Sequence, residues 1–245
     1  VRLSISFTKG AARKPLIRIS SALLLIAAFV LQFACGSQNE AASTDDRLNK
    51  PLATPKLDQN RPKIIAFGDS LTAGFGLTEK ESYPNLLQQM LQQDGYDHEV
   101  INAGVSGDTS LGGLERVDWV LAAPNVRIMI LELGANDLLR GGPPAKMKEN
   151  LETIIQKANA KDVRILLCGM IAPPTMGSDY QREFNAVFPE LAAKYKLTYL
   201  PFLLENVALK MELNQADGIH PNADGEKIMT ANIYAALKPL LTNER

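Results

Sequence analysis

The apolar positions of the chain fall into two patterns that alternate from residue 63 onward. Short continuous apolar runs predict buried strands, and longer runs with apolar residues three or four apart predict amphipathic helices. The predicted strands are Lys63–Phe67, His98–Asn102, Val126–Leu133, Val163–Met170 and Leu197–Leu200. The predicted helices are Tyr83–Gln93, Leu111–Ala123, Ala145–Ala160, Tyr180–Tyr195 and Ala223–Leu241. We expect Pro189 to interrupt the fourth helix and Asn222 to cap the last one.

The alternation of strand and helix predicts how these elements are arranged. Successive parallel strands need a long crossover connection, and the predicted helices supply one in each case. We therefore expect five parallel strands with helices on both faces of the sheet. In such folds ligands bind beyond the carboxyl ends of the strands, and functional side chains should be sought there.

The first 34 residues have a different character. They contain five basic and no acidic residues, and the ten-residue apolar run Ala22–Leu31 ends shortly before Cys35. This order predicts a secretory signal over residues 1–34, and Cys35 resembles the lipidated cysteine of a bacterial lipoprotein. We expect a protein of the bacterial cell envelope, periplasmic and tethered to a membrane through Cys35. Gln32 stands where such signals usually have leucine, so an ordinary cleaved signal or an uncut anchor stays open.

The rest of the chain divides into a tether and one domain. Residues 35–61 are polar, contain two prolines and show no apolar periodicity, which predicts a flexible tether before a domain over 62–245. Without residues 1–34, 21 basic and 27 acidic residues leave a net charge of −6, which gives no case for a nucleic-acid partner. Two histidines and two cysteines exclude a multi-histidine metal centre and a disulfide framework.

Four polar blocks follow predicted strands or precede the last helix. They are Gly68-Asp69-Ser70-Leu71-Thr72, Asn102–Thr109, Gly134-Ala135-Asn136-Asp137 and Asp217-Gly218-Ile219-His220-Pro221. The serine can lie at a helix N-terminus that favours negative charge, the glycines permit close backbone approach to a ligand, and the asparagine amide can donate to a developing oxyanion. Taken singly, each block is also typical of a helix cap or a turn.

The fourth block carries a candidate acid–base pair. Asp217 and His220 lie three residues apart. If the loop folds back at Gly218, the carboxylate can accept from Nδ1–H and leave Nε2 as the base. Pro221 biases His220 away from helical backbone, which keeps it on the loop. His98 begins a predicted strand and is expected at the surface.

Together, and in this order, the four blocks resemble those of the SGNH (GDSL) hydrolases. Within that superfamily the sequence is similar to the bacterial multifunctional thioesterase, arylesterase and lysophospholipase subfamily. The supporting segments are Ser106–Ser110, Leu139–Gly141 and Tyr180–Asn185, followed by Phe188-Pro189. The resemblance covers the chain from Lys63 to the C-terminus. It implies a three-layer α/β/α sandwich of flavodoxin-like type.

The resemblance also implies roles for individual residues. Ser70 would be the nucleophile, His220 the base and Asp217 the acid that orients His220. The oxyanion hole would consist of the backbone N–H groups of Ser70 and Gly104 and the side-chain amide of Asn136. The implied reaction is hydrolysis of an acyl ester or thioester through an acyl-serine intermediate. It requires no metal or organic cofactor, and the enzyme is expected to be a monomer.

The substrate stays open at this stage. A carbohydrate acetylesterase shares the four blocks and needs only a small acyl pocket, whereas lipid or thioester substrates need a long apolar groove. A third hypothesis is a non-catalytic lipoprotein of the cell envelope that uses the fold only for binding. Candidate groove residues are Phe75, Leu138, Leu139, Pro173, Pro174, Met176 and Met211. Asp69 and Asp137 are expected to shape loops, and Cys168 to be a buried thiol.

Overall fold

The computed structural model describes residues 60–241 of the 245-residue chain. The predicted signal, Cys35 and nearly all of the predicted tether lie outside the described residues. The elements are β1 (Lys63–Gly68), α1 (Ser70–Ala73), α2 (Tyr83–Gln93), β2 (Glu99–Gly104), α3 (Ser110–Val120), β3 (Val126–Glu132), α4 (Ala135–Leu139), α5 (Pro144–Asn159), β4 (Arg164–Cys168), α6 (Ser178–Tyr195), β5 (Thr198–Leu200) and α7 (Ala223–Leu241). Short 3₁₀ turns cover Glu79–Glu81, Pro174–Met176 and Met211–Leu213.

All five strands of the described chain form one parallel sheet in the order β2-β1-β3-β4-β5. This confirms the predicted five-stranded parallel sheet, and the order is that of flavodoxin-like folds. In the register of the sheet, Gly68 at the end of β1 lies opposite Gly104 on β2 and Glu132 on β3. Three strands therefore end at one edge of the sheet, and the turns that follow them start side by side.

Helices cover both faces of the sheet, which completes the predicted three layers. Along β1, Ile64 and Ala66 belong to one apolar cluster, and Ile65 and Phe67 belong to the other, as the alternation of side chains along a strand requires. Buried residues of α3, α5 and α6 pack in the cluster that contains Ile65 and Phe67. Buried residues of α2 and α7 pack on the other face, in the cluster that contains Ile64 and Ala66. No helix within residues 60–241 is long and apolar enough to cross a membrane.

The fourth long helix, α6, continues through Pro189, so the expected interruption is wrong. Proline removes one backbone donor and crowds the preceding turn, which destabilises a helix interior. Here Phe184 and Phe188 before the proline and Leu191 after it are all buried in the same apolar cluster. Tertiary packing on both sides of Pro189 therefore outweighs its local preference.

The expectation that His98 lies at the surface is also wrong. His98 is only 2% exposed and precedes β2 at the amino edge of the sheet. Its carbonyl oxygen accepts from the Arg61 guanidinium at 3.1 Å and from the Gln88 amide at 3.0 Å. These two side chains, together with the neighbouring Tyr96 ring, cover a position that looked exposed from its sequence alone.

Two other expectations about single residues are confirmed. The Asn222 side chain accepts from the backbone N–H groups of Asp224 and Gly225 at 3.0 and 3.1 Å, so it caps α7. Cys168 is a free cysteine, fully buried in β4, and burial raises the pKa of its thiol well above the ordinary value. A buried neutral thiol behaves as a small apolar side chain.

Glu226 in α7 is a buried carboxyl group whose ionisation opposes folding. It is 1% exposed, and it accepts a hydrogen bond from the backbone of Tyr83. Its Oε2 atom has no hydrogen-bond partner among the described residues. Burial accordingly raises the pKa of Glu226 to about 8.

We expect Glu226→Gln to weaken the dependence of stability on pH. The unfolded chain releases this proton near pH 4.5, whereas the folded protein keeps it up to about pH 8. Stability should therefore fall as pH rises through this interval, by at most about 1.4 kcal/mol per pH unit. Urea unfolding at both ends of the interval measures the effect, and Glu115→Gln, at an exposed position, is the control. An unaltered pH dependence in Glu226→Gln would contradict the assignment.

Candidate active site

Ser70 lies in a sharp turn between a strand and a helix. β1 ends at Gly68, and α1 begins at Ser70, with the Asp69 side chain accepting from the Leu71 N–H at 3.1 Å as its cap. The backbone of α1 passes close to the end of β2. A Cβ atom on Gly104 would lie 2.3 Å from the backbone nitrogen of Ala73. The second block therefore needs glycine because the turn that carries Ser70 packs directly on it.

His220 approaches Ser70 from the loop before α7. Gly218 has a φ of 74°, in the left-handed region that favours glycine, and the chain folds back there as predicted. The Asp217 Oδ1 atom accepts from the backbone N–H groups of Ile219 and His220 at 3.0 and 3.1 Å. The Asp217 side chain thus shapes the turn that presents the imidazole.

Gln215 ties this loop to the turn after α1. Its backbone N–H donates to the His220 carbonyl at 2.8 Å, and its side-chain amide donates to the carbonyls of Phe75 and Pro221 at 2.7 and 2.9 Å. The Phe75 ring lies against the imidazole of His220, with the ring centroids 4.7 Å apart. His220 is therefore held from two sides before any substrate binds.

The three side chains of the predicted triad lie in hydrogen-bonding order. The Ser70 Oγ atom is 2.9 Å from His220 Nε2, and His220 Nδ1 is 2.7 Å from Asp217 Oδ2. An ionised carboxylate can only accept, so Nδ1 carries the proton and Nε2 accepts from the Ser70 hydroxyl. The hydrogen bond from His220, supported by backbone N–H groups, lowers the pKa of Asp217 to about 2. Asp217 is therefore ionised at neutral pH.

Asn136 lies beside the turn of Ser70, at the start of α4. Its side-chain nitrogen donates to Asp69 Oδ2 at 3.0 Å, and the amide keeps a second hydrogen for another acceptor. Asp137 accepts from the backbone N–H and the hydroxyl of Ser110, both at 2.7 Å. Asp69 therefore links the first polar block to the third, and Asp137 links the third block to Ser110, directly after the second.

The remaining predicted donors are backbone N–H groups at the two strand ends. The Ser70 N–H belongs to the first turn of α1, where a helix leaves its N–H groups without intrahelical acceptors. The Gly104 N–H donates to the Asn102 side chain at 2.9 Å, and Asn102 is exposed. The structure thus places all three predicted donors around one turn, with Gly104 occupied by a side chain that solvent can reach.

Arg116 in α3 is a structural clamp that the sequence patterns did not single out. Its guanidinium donates to the carbonyls of Gly68 and Ala103 at 2.9 and 2.8 Å and to Asp108 Oδ2 at 2.6 Å. It also lies 4.1 Å from the centroid of the Phe67 ring. One side chain therefore holds the ends of β1 and β2 together, directly below the turns that carry Ser70 and Gly104. No spacing rule links a residue inside a helix to carbonyls at two strand ends.

A mainly apolar cleft of about 420 Å³ opens beside Ser70 and His220. Four of the predicted groove residues line it, namely Leu138, Leu139, Pro173 and Pro174. The other three, Phe75, Met176 and Met211, do not line it. Further apolar walls come from Met170, Ile171, Phe202, Leu204, Leu209 and Ile219.

The fold and the site together define a class of protein. A serine in a strand–helix turn, hydrogen-bonded through histidine to aspartate above a parallel sheet, is the arrangement of a serine hydrolase with an α/β/α architecture. Residues 66–228 match the GDSL-like lipase/acylhydrolase family, and the chain belongs to this family.

Relatives of known name agree with this assignment. Esterase TesA of Pseudomonas aeruginosa is 41% identical over 178 residues, which cover 73% of this chain and 89% of that protein. Thioesterase 1/protease 1/lysophospholipase L1 of Escherichia coli is 35% identical over 181 residues, 74% of this chain and 86% of that protein. The crystal structure of AlinE4, an SGNH-hydrolase family esterase, is 46% identical with a TM-score of 0.62 over 74% of this chain and 97% of that chain. The chain is therefore a hydrolase, a serine esterase of the SGNH type.

We expect Arg116→Lys to lower kcat by roughly tenfold, because small misalignments of catalytic groups are costly. An ammonium cannot reproduce the planar fork that reaches two carbonyls and a carboxylate. Hydrolysis of an aryl ester and the melting temperature should be measured together. Arg127→Lys, an exposed substitution at the start of β3, is the control. A folded Arg116→Lys variant with unchanged kcat would show that the clamp does not align the site.

Proposed function

We propose that the chain hydrolyses acyl esters and thioesters with Ser70 as nucleophile, His220 as general base and Asp217 as the residue that orients His220. The observation that carries this proposal is the line of hydrogen bonds from Asp217 to His220 to Ser70, at 2.7 and 2.9 Å. Serine is a weak nucleophile until a base takes its proton. His220 Nε2 is positioned to take that proton as Oγ attacks the acyl carbon.

The reaction then proceeds in two halves. Oγ of Ser70 bonds to the acyl carbon, and the proton moves to His220, whose positive charge Asp217 stabilises. Collapse of the tetrahedral intermediate returns this proton to the leaving alcohol or thiol and leaves an acyl-Ser70 ester. Water, deprotonated by His220, hydrolyses the ester and restores the serine. No metal or organic cofactor takes part in these steps.

The oxyanion is stabilised by the backbone N–H groups of Ser70 and Gly104 and by the Asn136 amide. Asn136 can serve because its bond to Asp69 uses only one of its two amide hydrogens. The Gly104 N–H becomes available when the exposed Asn102 side chain turns away. Both Asn136 and the turn of Ser70 are already held in place by Asp69, so the donors need little reorganisation.

The apolar cleft favours acyl chains longer than acetyl. Its lining is mainly aliphatic, and a cleft of about 420 Å³ greatly exceeds what an acetyl group fills. The names of the relatives include esterase, thioesterase and lysophospholipase, all of which act on acyl groups. Aryl esters, acyl thioesters and lysophospholipids are therefore the proposed substrate class. Carbohydrate acetyl esters are the alternative that the four sequence blocks share.

We expect Ser70→Ala to reduce hydrolysis of p-nitrophenyl acyl esters to background and Asn136→Ala to lower kcat by roughly 10²–10³. The wild-type chain should show a higher kcat/KM with medium and long acyl chains than with acetate. Full activity in Ser70→Ala would falsify the mechanism. If Asn136→Ala raises KM and leaves kcat unchanged, Asn136 does not stabilise the oxyanion. Hydrolysis of acetyl esters alone would favour the carbohydrate acetylesterase alternative.

We further propose that residues 1–34 are a lipoprotein signal and that Cys35 becomes the lipidated N-terminus. The tether over residues 35–61 then holds a monomeric periplasmic domain at a membrane. The support is the basic stretch, the short apolar run and the position of Cys35 four residues after the end of that run. The absence of acidic residues before residue 40 fits the same arrangement.

We expect Cys35→Ala to move the protein from the membrane pellet to the soluble fraction, because the lipid anchor is lost. Fractionation of cells followed by immunoblotting measures the shift. Cys168→Ala removes the other cysteine, buried in β4, and should leave the protein in the pellet. If Cys35→Ala fractionates like the wild type, Cys35 is not the anchor.

A further inference from the structure

Glu132 lies directly beneath the turn that carries Ser70. It is the last residue of β3 and lies opposite Gly68 in the register of the sheet. It is 1% exposed. Its Oε2 atom accepts from the backbone N–H of Asp69 at 3.2 Å and from the Thr72 hydroxyl at 2.8 Å. One carboxyl oxygen therefore binds the residue before Ser70 and the residue two positions after it.

The same carboxyl group explains the glycine of the first block. A Cβ atom on Gly68 would lie 2.3 Å from Glu132 Oε2 and 2.1 Å from the Thr72 hydroxyl oxygen. Gly68 has no positive φ, so its backbone conformation does not itself demand glycine. The backbone oxygen of Glu132 would lie 2.6 Å from the same Cβ atom, so position 68 is glycine because the carboxyl and carbonyl groups of Glu132 and the Thr72 hydroxyl occupy the space of a side chain.

The surroundings of Glu132 disfavour a negative charge. The titratable groups that act on Glu132 or on its neighbours are Asp69 from the turn, Tyr83 from α2, Cys168 from β4 and Glu226 from α7, and His220 acts on Asp69. Its Oε1 atom is buried and has no hydrogen-bond partner among the described residues. A buried carboxylate with one bare oxygen and no ion-pair partner within residues 60–241 is strongly disfavoured. Burial, and next the charge of Asp69, raise the pKa of Glu132 well above its ordinary value.

Asp69 is the second buried carboxyl group at this turn, and it forms a pair with Glu132. It is fully buried, and its carboxylate accepts from the Leu71 N–H and from the Asn136 amide. Burial raises the pKa of Asp69 to about 6 and outweighs the lowering by these two donors and by the charge of His220. Both carboxyl oxygens of Asp69 accept hydrogen bonds, whereas Oε1 of Glu132 has no partner among the described residues, so Glu132 is the protonated member of the pair. Two adjacent buried carboxyl groups cannot both ionise cheaply.

We propose that Glu132 is a positioning residue of the esterase and acts as a neutral carboxylic acid. It fixes the turn of Ser70 through Asp69 and Thr72, and it keeps Asp69 as the carboxylate that orients Asn136. The inference rests on the proposed roles of Ser70 and Asn136. Glu132 itself touches neither substrate nor reacting atoms.

Two substitutions in the full chain separate this role from packing and from charge. Glu132→Gln keeps an acceptor for Asp69 N–H and Thr72 and, like the protonated acid, carries no charge. Its kcat should stay within about threefold of the wild type. Glu132→Met keeps the volume without an acceptor, and kcat should fall at least about tenfold with KM nearly unchanged. Each kcat value is divided by the fraction of the protein that is folded.

Thr72 supplies a second pair of variants in case Glu132→Met does not fold. Thr72→Val removes the hydroxyl that donates to Oε2 with little change of shape, and Thr72→Ser restores it. We expect Thr72→Val to lower kcat severalfold at constant KM and Thr72→Ser to recover it. Equal kcat in both variants would overturn the positioning role, as would a folded Glu132→Met enzyme with wild-type kcat. A loss in Glu132→Gln as large as in Glu132→Met would show that Glu132 acts as an anion.

An infrared difference spectrum between wild type and Glu132→Gln at neutral pH tests the charge without any assay of activity. The wild type should show the carbonyl stretch of a protonated carboxylic acid that the variant lacks. Absence of this band would overturn the neutral acid. If hydrolysis by the wild type does not depend on Ser70, the proposed function fails, and the infrared result still decides the state of Glu132.

Discussion

The register between β1 and its two neighbours is the constraint on which the site depends. Because Gly68 lies opposite both Gly104 and Glu132, three strands end together, and the turns that follow them carry Ser70 and Asn136 to one place. Arg116 donates to a carbonyl at the end of β1 and to another at the end of β2, and so stabilises the register of these two strands next to the site. A shift of one residue would turn every side chain of a strand to the opposite face.

The site contains two aspartates whose surroundings shift their pKa values in opposite directions. Asp217 lies on a loop, accepts from His220 and from backbone N–H groups, and has its pKa lowered to about 2. Asp69 lies in the buried turn, where desolvation raises its pKa to about 6 despite similar hydrogen bonds. In the proposed mechanism, the exposed carboxylate stabilises the positive charge that forms on His220. The buried carboxyl groups organise the turn of Ser70, and burying them has a cost in stability that apolar packing must offset.

The position of the cleft connects the fold to substrate choice. It opens at the carboxyl edge of the sheet, between the turn of Ser70 and the loops that follow β4 and β5. Those loops contribute mainly aliphatic side chains, and the polar groups are concentrated at the end where Ser70, Asn136 and His220 meet. A polar end joined to an apolar cleft suits an ester or thioester whose acyl chain leads away from the reacting carbon.

The sequence by itself determined the order of strands and helices, because apolar periodicity reports which positions are buried within one element. The loop spacing pointed to Asp217 and His220 as a pair, and the resemblance of the four blocks to those of SGNH hydrolases added Ser70. Only the tertiary structure decided that Pro189 stays inside a helix, that His98 is buried and that Phe75 packs on His220 rather than lining the cleft. Arg116, Gln215 and Glu132 likewise became visible only there. These residues act on partners in other elements, and such contacts depend on strand register and packing, which leave no periodic signal in the chain.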